Sequence, residues 1–132
     1  MIDEMKSLTE NEISFKIRGA IFTIYNRLGP GLLESVYEAT LRYELEKMGL
    51  NVKVQVVLPL IYDSLSMETA YRIDLLVESK VIIEIKSVER LMEVHHKQLL
   101  TYLKLSGLKL GLLVNFNSAE IDKSIFRKVN DL

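Results

Sequence analysis

The chain has 132 residues, a net charge of −1 and no cysteine. Its length predicts one domain over residues 1–132, and the lack of cysteine excludes disulfides, thiolate metal sites and cysteine nucleophiles. The near-neutral charge argues mildly against a protein that binds nucleic acid by charge alone. The sequence has no signal-peptide pattern and no apolar run of ~20 residues, so we expect a cytoplasmic protein without a membrane span.

Two helices are predicted first. Thr9 and Glu12 have the Thr-x-x-Glu spacing of a capping box, so a helix should begin near Glu10. Apolar residues at helical spacing continue this helix until Gly29-Pro30-Gly31 interrupts the chain. A second helix is predicted over residues 32–48.

The rest of the chain is predicted to contain mainly strands. The strands are 51–61, 69–77, 80–87 and 108–116, with a helix at 91–106, a polar loop at 63–68 and a weaker strand or helix at 121–129. Pro59 indicates that the first strand lies at an edge or bends there. The order α-β-β-β-α-β after an extra N-terminal helix predicts a mixed α/β fold.

Three charges lie inside two of these apolar strands. Asp74 belongs to the first strand, and Glu84 and Lys86 belong to the second. If residues 78–80 form a three-residue loop, Val77 pairs with Val81, and Asp74 then faces Glu84 on the same side of the sheet. A two-residue loop would place the two acids on opposite faces.

Two facing carboxylates need compensation, because they repel by about 4 kcal/mol at 4 Å and an effective dielectric of 20. One of them can be protonated, Lys86 or Arg72 can bridge them, or a cation can bind. From the charges alone, a salt-bridge network on a half-exposed sheet face is as good an interpretation as a functional site.

The spacing of these charges resembles a known motif. Asp74 followed by Glu84-Ile85-Lys86 resembles the PD-(D/E)xK nuclease superfamily, although Ile73 stands where that motif has proline. In the third helix, Gln98 and Tyr102 resemble the Gln-x-x-x-Tyr motif of RecB-like nucleases.

A third stretch resembles one branch of this superfamily. Gly31, Glu34 and Tyr37 match the signature of the GxxExxY family, and the resemblance extends over roughly residues 12–116. It implies a restriction-endonuclease-like core. Glu34 also lies in the first turn of its helix, where the helix dipole alone would favour a carboxylate.

The resemblance implies a metal-dependent nuclease acting on nucleic acid, with DNA as the expected substrate. Asp74, Glu84, Glu34 and the carbonyl of Ile85 would bind Mg²⁺ or Mn²⁺, for which such oxygen ligands are suited. Lys86 would orient or deprotonate the attacking water, lying near the acids and within hydrogen-bond reach of Gln98 or a water.

Further roles are implied for the third helix. Gln98 and Tyr102 would hold Lys86 and the phosphate backbone. His95 lies one turn before Gln98 and could reach the metal's outer shell, whereas His96 is expected to face solvent. Two alternatives are a nuclease-fold module that binds nucleic acid or a partner protein without cutting, and a homo-oligomer in which a second copy completes the groove.

Overall fold

The computed structural model describes residues 7–132, except for the side chains of residues 69 and 70. The N-terminal segment that lacks a signal-peptide pattern lies partly outside this range. Its elements are α1 Glu10–Leu28, α2 Glu34–Lys47, β1 Val52–Tyr62, β2 Leu65–Val77, β3 Val81–Lys86, α3 Glu93–Ser106, β4 Leu110–Asn115, a 3₁₀ turn Ile121–Lys123 and β5 Ile125–Val129. The predicted capping box is confirmed, since Glu12 N–H donates to Thr9 Oγ1 (3.1 Å) and Thr9 N–H donates to Glu12 Oε1 (2.8 Å).

The strands form one mixed sheet in the order β1-β2-β3-β4-β5. Neighbouring strands are antiparallel, except that β3 and β4 run parallel. A parallel pair needs a crossover connection, and α3 supplies it between β3 and β4. The predicted mixed α/β fold is confirmed.

Helices cover both faces of the sheet. Side chains of α1 and α2 pack with one face, which we call the α1/α2 core, and α3 packs with the other, which we call the α3 core. Ile83 of β3 belongs to the α1/α2 core and its neighbour Ile82 to the α3 core, because successive strand residues point to opposite faces. Among the residues described, no helix is both long and apolar enough to cross a membrane.

The β1–β2 hairpin is longer than predicted. Residues 63–68 were expected to form a loop, but Tyr62 pairs with Leu65, so the turn is much shorter. Asp63 turns the chain with a φ of 55°, a left-handed conformation that Asp tolerates better than most residues. Pro59 lies at a register shift in the edge strand β1, as predicted. Most of 121–129 is strand β5.

Candidate active site

Asp74 and Glu84 lie where strands β2 and β3 separate. The predicted register is confirmed, because Val77 pairs with Val81 across the 78–80 loop. The backbone ladder then ends at Leu75 and Ile83, one position before the two acids.

Beyond that point the two acidic side chains connect the strands. The Asp74 N–H donates to Glu84 Oε2 (3.0 Å), and the Ile85 N–H donates to Asp74 Oδ2 (2.8 Å). Each carboxylate therefore satisfies a backbone amide of the other strand that the ladder leaves unpaired. These two bonds hold both acids at the break in the sheet.

The alternation of side chains also changes at this point, contrary to the sequence expectation. In β2, Leu75 belongs to the α1/α2 core, but Ile73, which alternation places beside it, belongs to the α3 core. In β1, Val54 packs with the α1/α2 core but Val56 packs with the α3 core, and Gln55 between them has a φ of 50°. A left-handed residue reverses the direction of the strand's side chains.

Strict alternation would place Asp74 on the same side as Leu76 and as Glu84, whose neighbours Ile83 and Ile85 both belong to the α1/α2 core, but Asp74 does not follow it. Leu76 packs with the α3 core, whereas Asp74 lines a cavity beside α2. The cavity has a volume of about 150 Å³ and is lined by Glu34, Ser35, Glu38, Gln55, Asp74 and Ile85. We call it the acidic cavity.

Gln55 and Glu38 are site residues that the motif did not identify. The side-chain amide of Gln55 donates to Glu38 (2.8 and 3.2 Å to its two oxygens) and, more weakly, to Asp74 Oδ1 (3.4 Å). Two signals in the sequence could have identified them. Gln55 is a polar residue inside the apolar run VKVQVV, and Glu38 is an acid one helical turn after Glu34.

Glu34 is attached to the end of β3. The Ser87 N–H donates to Glu34 Oε2 (3.0 Å), and Ser87 Oγ donates to the Leu32 carbonyl (2.6 Å). Glu34 is also the first residue of α2, which has no side-chain N-cap, so the helix dipole favours its charge. Glu34 thus has the contacts of a carboxylate at a helix N-terminus; it also lines the acidic cavity, although the residue as a whole is exposed.

Tyr37 and Gly31 place Glu34 but are not part of the acidic cavity. The Tyr37 ring is fully buried and stacks on Phe116 at 4.2 Å. Its hydroxyl donates to the Gly29 carbonyl (2.5 Å) and accepts from the Leu32 N–H (3.2 Å), and Gly31 has a φ of 94°. These contacts fix the loop that leads into Glu34.

Burial makes the acid pair difficult to ionise. Glu84 is only 4% exposed, and desolvation, followed by the negative charge of Asp74, raises its pKa to about 8. Burial also raises the pKa of Asp74, against the Ile85 hydrogen bond, which lowers it. At neutral pH the pair therefore retains a proton on Glu84, which is the first of the three forms of compensation considered from the sequence.

Lys86 is near the pair but does not bridge it. Its positive charge lowers the pKa values of both Asp74 and Glu84. Within residues 7–132, however, no Lys or Arg forms an ion pair with either acid, and the Lys86 side chain forms no hydrogen bond with another residue. Of the two partners expected for Lys86, Gln98 or a water, Gln98 is therefore not bonded to it.

The two motif residues of α3 occupy different places. The Tyr102 ring is 3% exposed, and burial, with the charges of Glu84 and Asp74, raises its pKa to about 12, which places its hydroxyl in the field of the acid pair. Gln98 instead lines a separate cavity with Tyr71 and Thr101. The structure thus brings Tyr102, but not Gln98, to the acids.

The histidines also differ from expectation. His95 Nδ1 accepts from the Met92 N–H (2.9 Å) and so caps the start of α3. His96 was expected to face solvent, but it packs edge-on against Phe126 at 4.9 Å, and burial lowers its pKa. Apolar packing on β5, which sequence spacing could not show, explains this difference.

The side chains at the acidic cavity fit a hard divalent cation by their chemistry. In the part of the chain that the structure describes, no three Asp, Glu or His side chains are arranged to hold an ion, so the expected convergence of Glu34, Asp74 and Glu84 is not seen. The acidic cavity nevertheless presents the carboxylate oxygens of Glu34, Glu38 and Asp74, and Glu84 is hydrogen-bonded to the backbone of Asp74. Carboxylate oxygens are what Mg²⁺ and Mn²⁺ bind.

A mixed sheet with an acid on one central strand and Glu-x-Lys on the next defines a nuclease-like class of protein. The model of one family, the PD-(D/E)XK nuclease superfamily, matches residues 11–128, and the chain belongs to this superfamily. No curated protein and no solved structure matches the chain.

Proposed function

We propose that this protein is a metal-dependent nuclease that hydrolyses phosphodiester bonds in nucleic acid, with DNA as its substrate, and that it belongs to the GxxExxY branch. The observation that carries the proposal is the bonding of Asp74 and Glu84 across the break between β2 and β3. A buried acid pair without a basic partner lowers the stability of the fold, and such pairs cluster at functional sites.

Each site residue then has a proposed role. Asp74, Glu84 and the carbonyl of Ile85 would hold Mg²⁺ or Mn²⁺, with Glu34 as a further ligand from α2. When bound there, the ion lowers the pKa of a coordinated water and offsets charge on the phosphodiester.

Two further residues would act on the substrate. Lys86 orients the attacking water or accepts its proton, because its charge lies close to both acids. Tyr102 keeps its proton at neutral pH, since its pKa is raised to about 12, so its hydroxyl can donate to a phosphate oxygen. Gln98 lines a separate cavity, so it would contact the substrate there and not at the acidic cavity.

A second function is supported by the contacts of Lys86 and Gln98. Neither forms a hydrogen bond with the acid pair in the described residues, and the net charge is −1. A module that binds nucleic acid or a partner protein without cutting needs no ordered Lys86.

For this protein we hypothesise a cytoplasmic location and a homo-oligomer. Cell fractionation would test the location, and sedimentation would test the oligomeric state.

The test combines Mn²⁺ titration by calorimetry with cleavage of single-stranded and duplex DNA and RNA. Wild type should bind Mn²⁺ and cut, and Glu84→Ala should lose both. Glu68→Ala, which removes an exposed acid in the β1–β2 hairpin, is the matched control and should retain both. Mn²⁺ binding without cleavage of any substrate would favour the non-cleaving module.

A further inference from the structure

Three cavities, beginning with the acidic cavity, share lining residues. Glu34 and Ser35 line the acidic cavity and also a second cavity of about 520 Å³. Asn117 lines this second cavity and a third of about 410 Å³. Shared lining residues make the three cavities neighbours, and we call the set the edge groove.

The edge groove follows the ends of two parallel strands. Ser87, which lines the second cavity, comes directly after β3, and Asn117 comes shortly after β4. The last residues of these strands, Lys86 and Asn115, are paired. Ligands of open α/β sheets commonly bind at this edge, beyond the carboxyl ends of parallel strands.

The far end of the groove carries groups suited to a nucleotide. Arg90, His96 and Phe126 line the third cavity, and the two rings are partly exposed there. Partly exposed aromatic rings can stack on a base, and a guanidinium can bind a phosphate. The Asn117 side chain forms no hydrogen bond with any residue from 7 to 132, so its amide can bind a ligand.

We propose that the edge groove binds a single strand of nucleic acid, with the scissile phosphate at the acidic cavity and the neighbouring nucleotides between Asn117 and Arg90. This inference rests on the proposed function and adds the form of the substrate to it. The second and third cavities both fall in the size range of small-ligand pockets, so each can hold about one nucleotide.

Charge favours a single strand over a duplex. A protein that grips a duplex by charge makes on the order of 6–10 phosphate contacts. Among the described residues that line the edge groove, however, Arg90 is the only Lys or Arg, and Glu34, Glu38, Asp74 and Glu89 are acidic. Hydrogen bonds and stacking would then supply most of the affinity. A duplex, whose bases are already stacked and paired, could not use them.

The test is fluorescence anisotropy with a short labelled single-stranded DNA, in EDTA so that no cleavage occurs. We expect Asn117→Ala, and separately Phe126→Leu, to weaken binding on the order of tenfold. Arg90→Gln should reduce the slope of log K against log salt by about 0.7, as expected for one phosphate contact on a single strand. Asn26→Ala and Lys104→Gln, at exposed positions on α1 and α3, are the matched controls.

Three outcomes separate this proposal from the nuclease proposal. If wild type cuts DNA but Asn117→Ala and Arg90→Gln bind and cut like wild type, the edge-groove proposal is wrong and the nuclease stands. If wild type binds single strands through these residues but never cuts, the groove stands and the nuclease is wrong. Equal affinity for a duplex of the same sequence would also overturn the groove proposal. Thermal unfolding of each variant shows whether it is folded, and Asn117→Ser replaces Asn117→Ala if that variant is not.

Discussion

The backbone N–H of Asp74 donates to the carboxylate of Glu84 across the point where two strands separate, 3.0 Å from nitrogen to oxygen. The acids are therefore structural partners as well as proposed metal ligands. Their carboxylates replace backbone hydrogen bonds, and these bonds hold the two acids close together. Burial, and after it the negative charge of the nearby Asp74, raises the pKa of Glu84, and this has measurable consequences.

Stability should fall as pH rises, in the absence of divalent metal. The pKa of Glu84 is raised from 4.5 to about 8, so between these values the folded protein holds a proton that the unfolded chain has lost. The free energy of unfolding should then decrease by up to about 1.4 kcal/mol per pH unit in this window. Urea denaturation in EDTA from pH 5 to 8.5 measures it.

Glu84→Gln isolates this contribution. Glutamine keeps an oxygen that can accept from the Asp74 N–H but cannot ionise, so the decline with pH should become shallower and the variant should be more stable than wild type near pH 8. Glu68→Gln should follow wild type. Parallel pH profiles for wild type and Glu84→Gln would show that Glu84 has an ordinary pKa.

Binding of Mn²⁺ at pH 7 should release a proton. Glu84 is protonated at this pH because its pKa is about 8, and a carboxylate must lose its proton to bind a metal. Calorimetry in two buffers with different ionisation enthalpies should give a release of close to one proton per ion. Heats that do not depend on the buffer would contradict the release of a proton from Glu84 when the metal binds.

Lys86→Ala should separate metal binding from cleavage. The Lys86 side chain makes no hydrogen bond within residues 7–132, so its loss should cost little stability and leave Mn²⁺ affinity nearly unchanged. Cleavage should fall on the order of 10²-fold or more if Lys86 acts on the attacking water. Lys53→Ala, at an exposed position in β1, is the control. Cleavage at the wild-type rate would contradict the proposed role.

Tyr37→Phe should destabilise the protein although it removes a single atom. The hydroxyl bonds both the Gly29 carbonyl and the Leu32 N–H, and their loss should cost about 1–2 kcal/mol. Tyr43, which is 61% exposed, provides the control, and Tyr43→Phe should change the free energy of unfolding by less than about 0.5 kcal/mol. Equal effects of the two substitutions would mean that the hydroxyl of Tyr37 does not hold the loop.

The sequence by itself determined the elements whose signals are local. The capping box at Thr9 and Glu12 gave the start of α1, and the apolar runs gave the central strands. For the loop at 78–80 the sequence left two lengths open, and the three-residue alternative is the one that pairs Val77 with Val81. Each of these depends on residues close in the chain, for which backbone geometry and side-chain periodicity are sufficient. The motif spacing was enough to indicate the superfamily that the family comparison then showed.

Only the tertiary structure decided how the site is built. Gln55 has a left-handed backbone and donates to Glu38 and Asp74, so this contact joins β1, α2 and β2, and Asp74 lines the cavity beside α2. Whether Lys86 and Gln98 meet depends on how α3 packs on the sheet, and in this structure they do not. Strict alternation fails at the site because Gln55 has a left-handed backbone and the β2–β3 ladder ends there, and the period-2 pattern of a strand sequence shows neither feature.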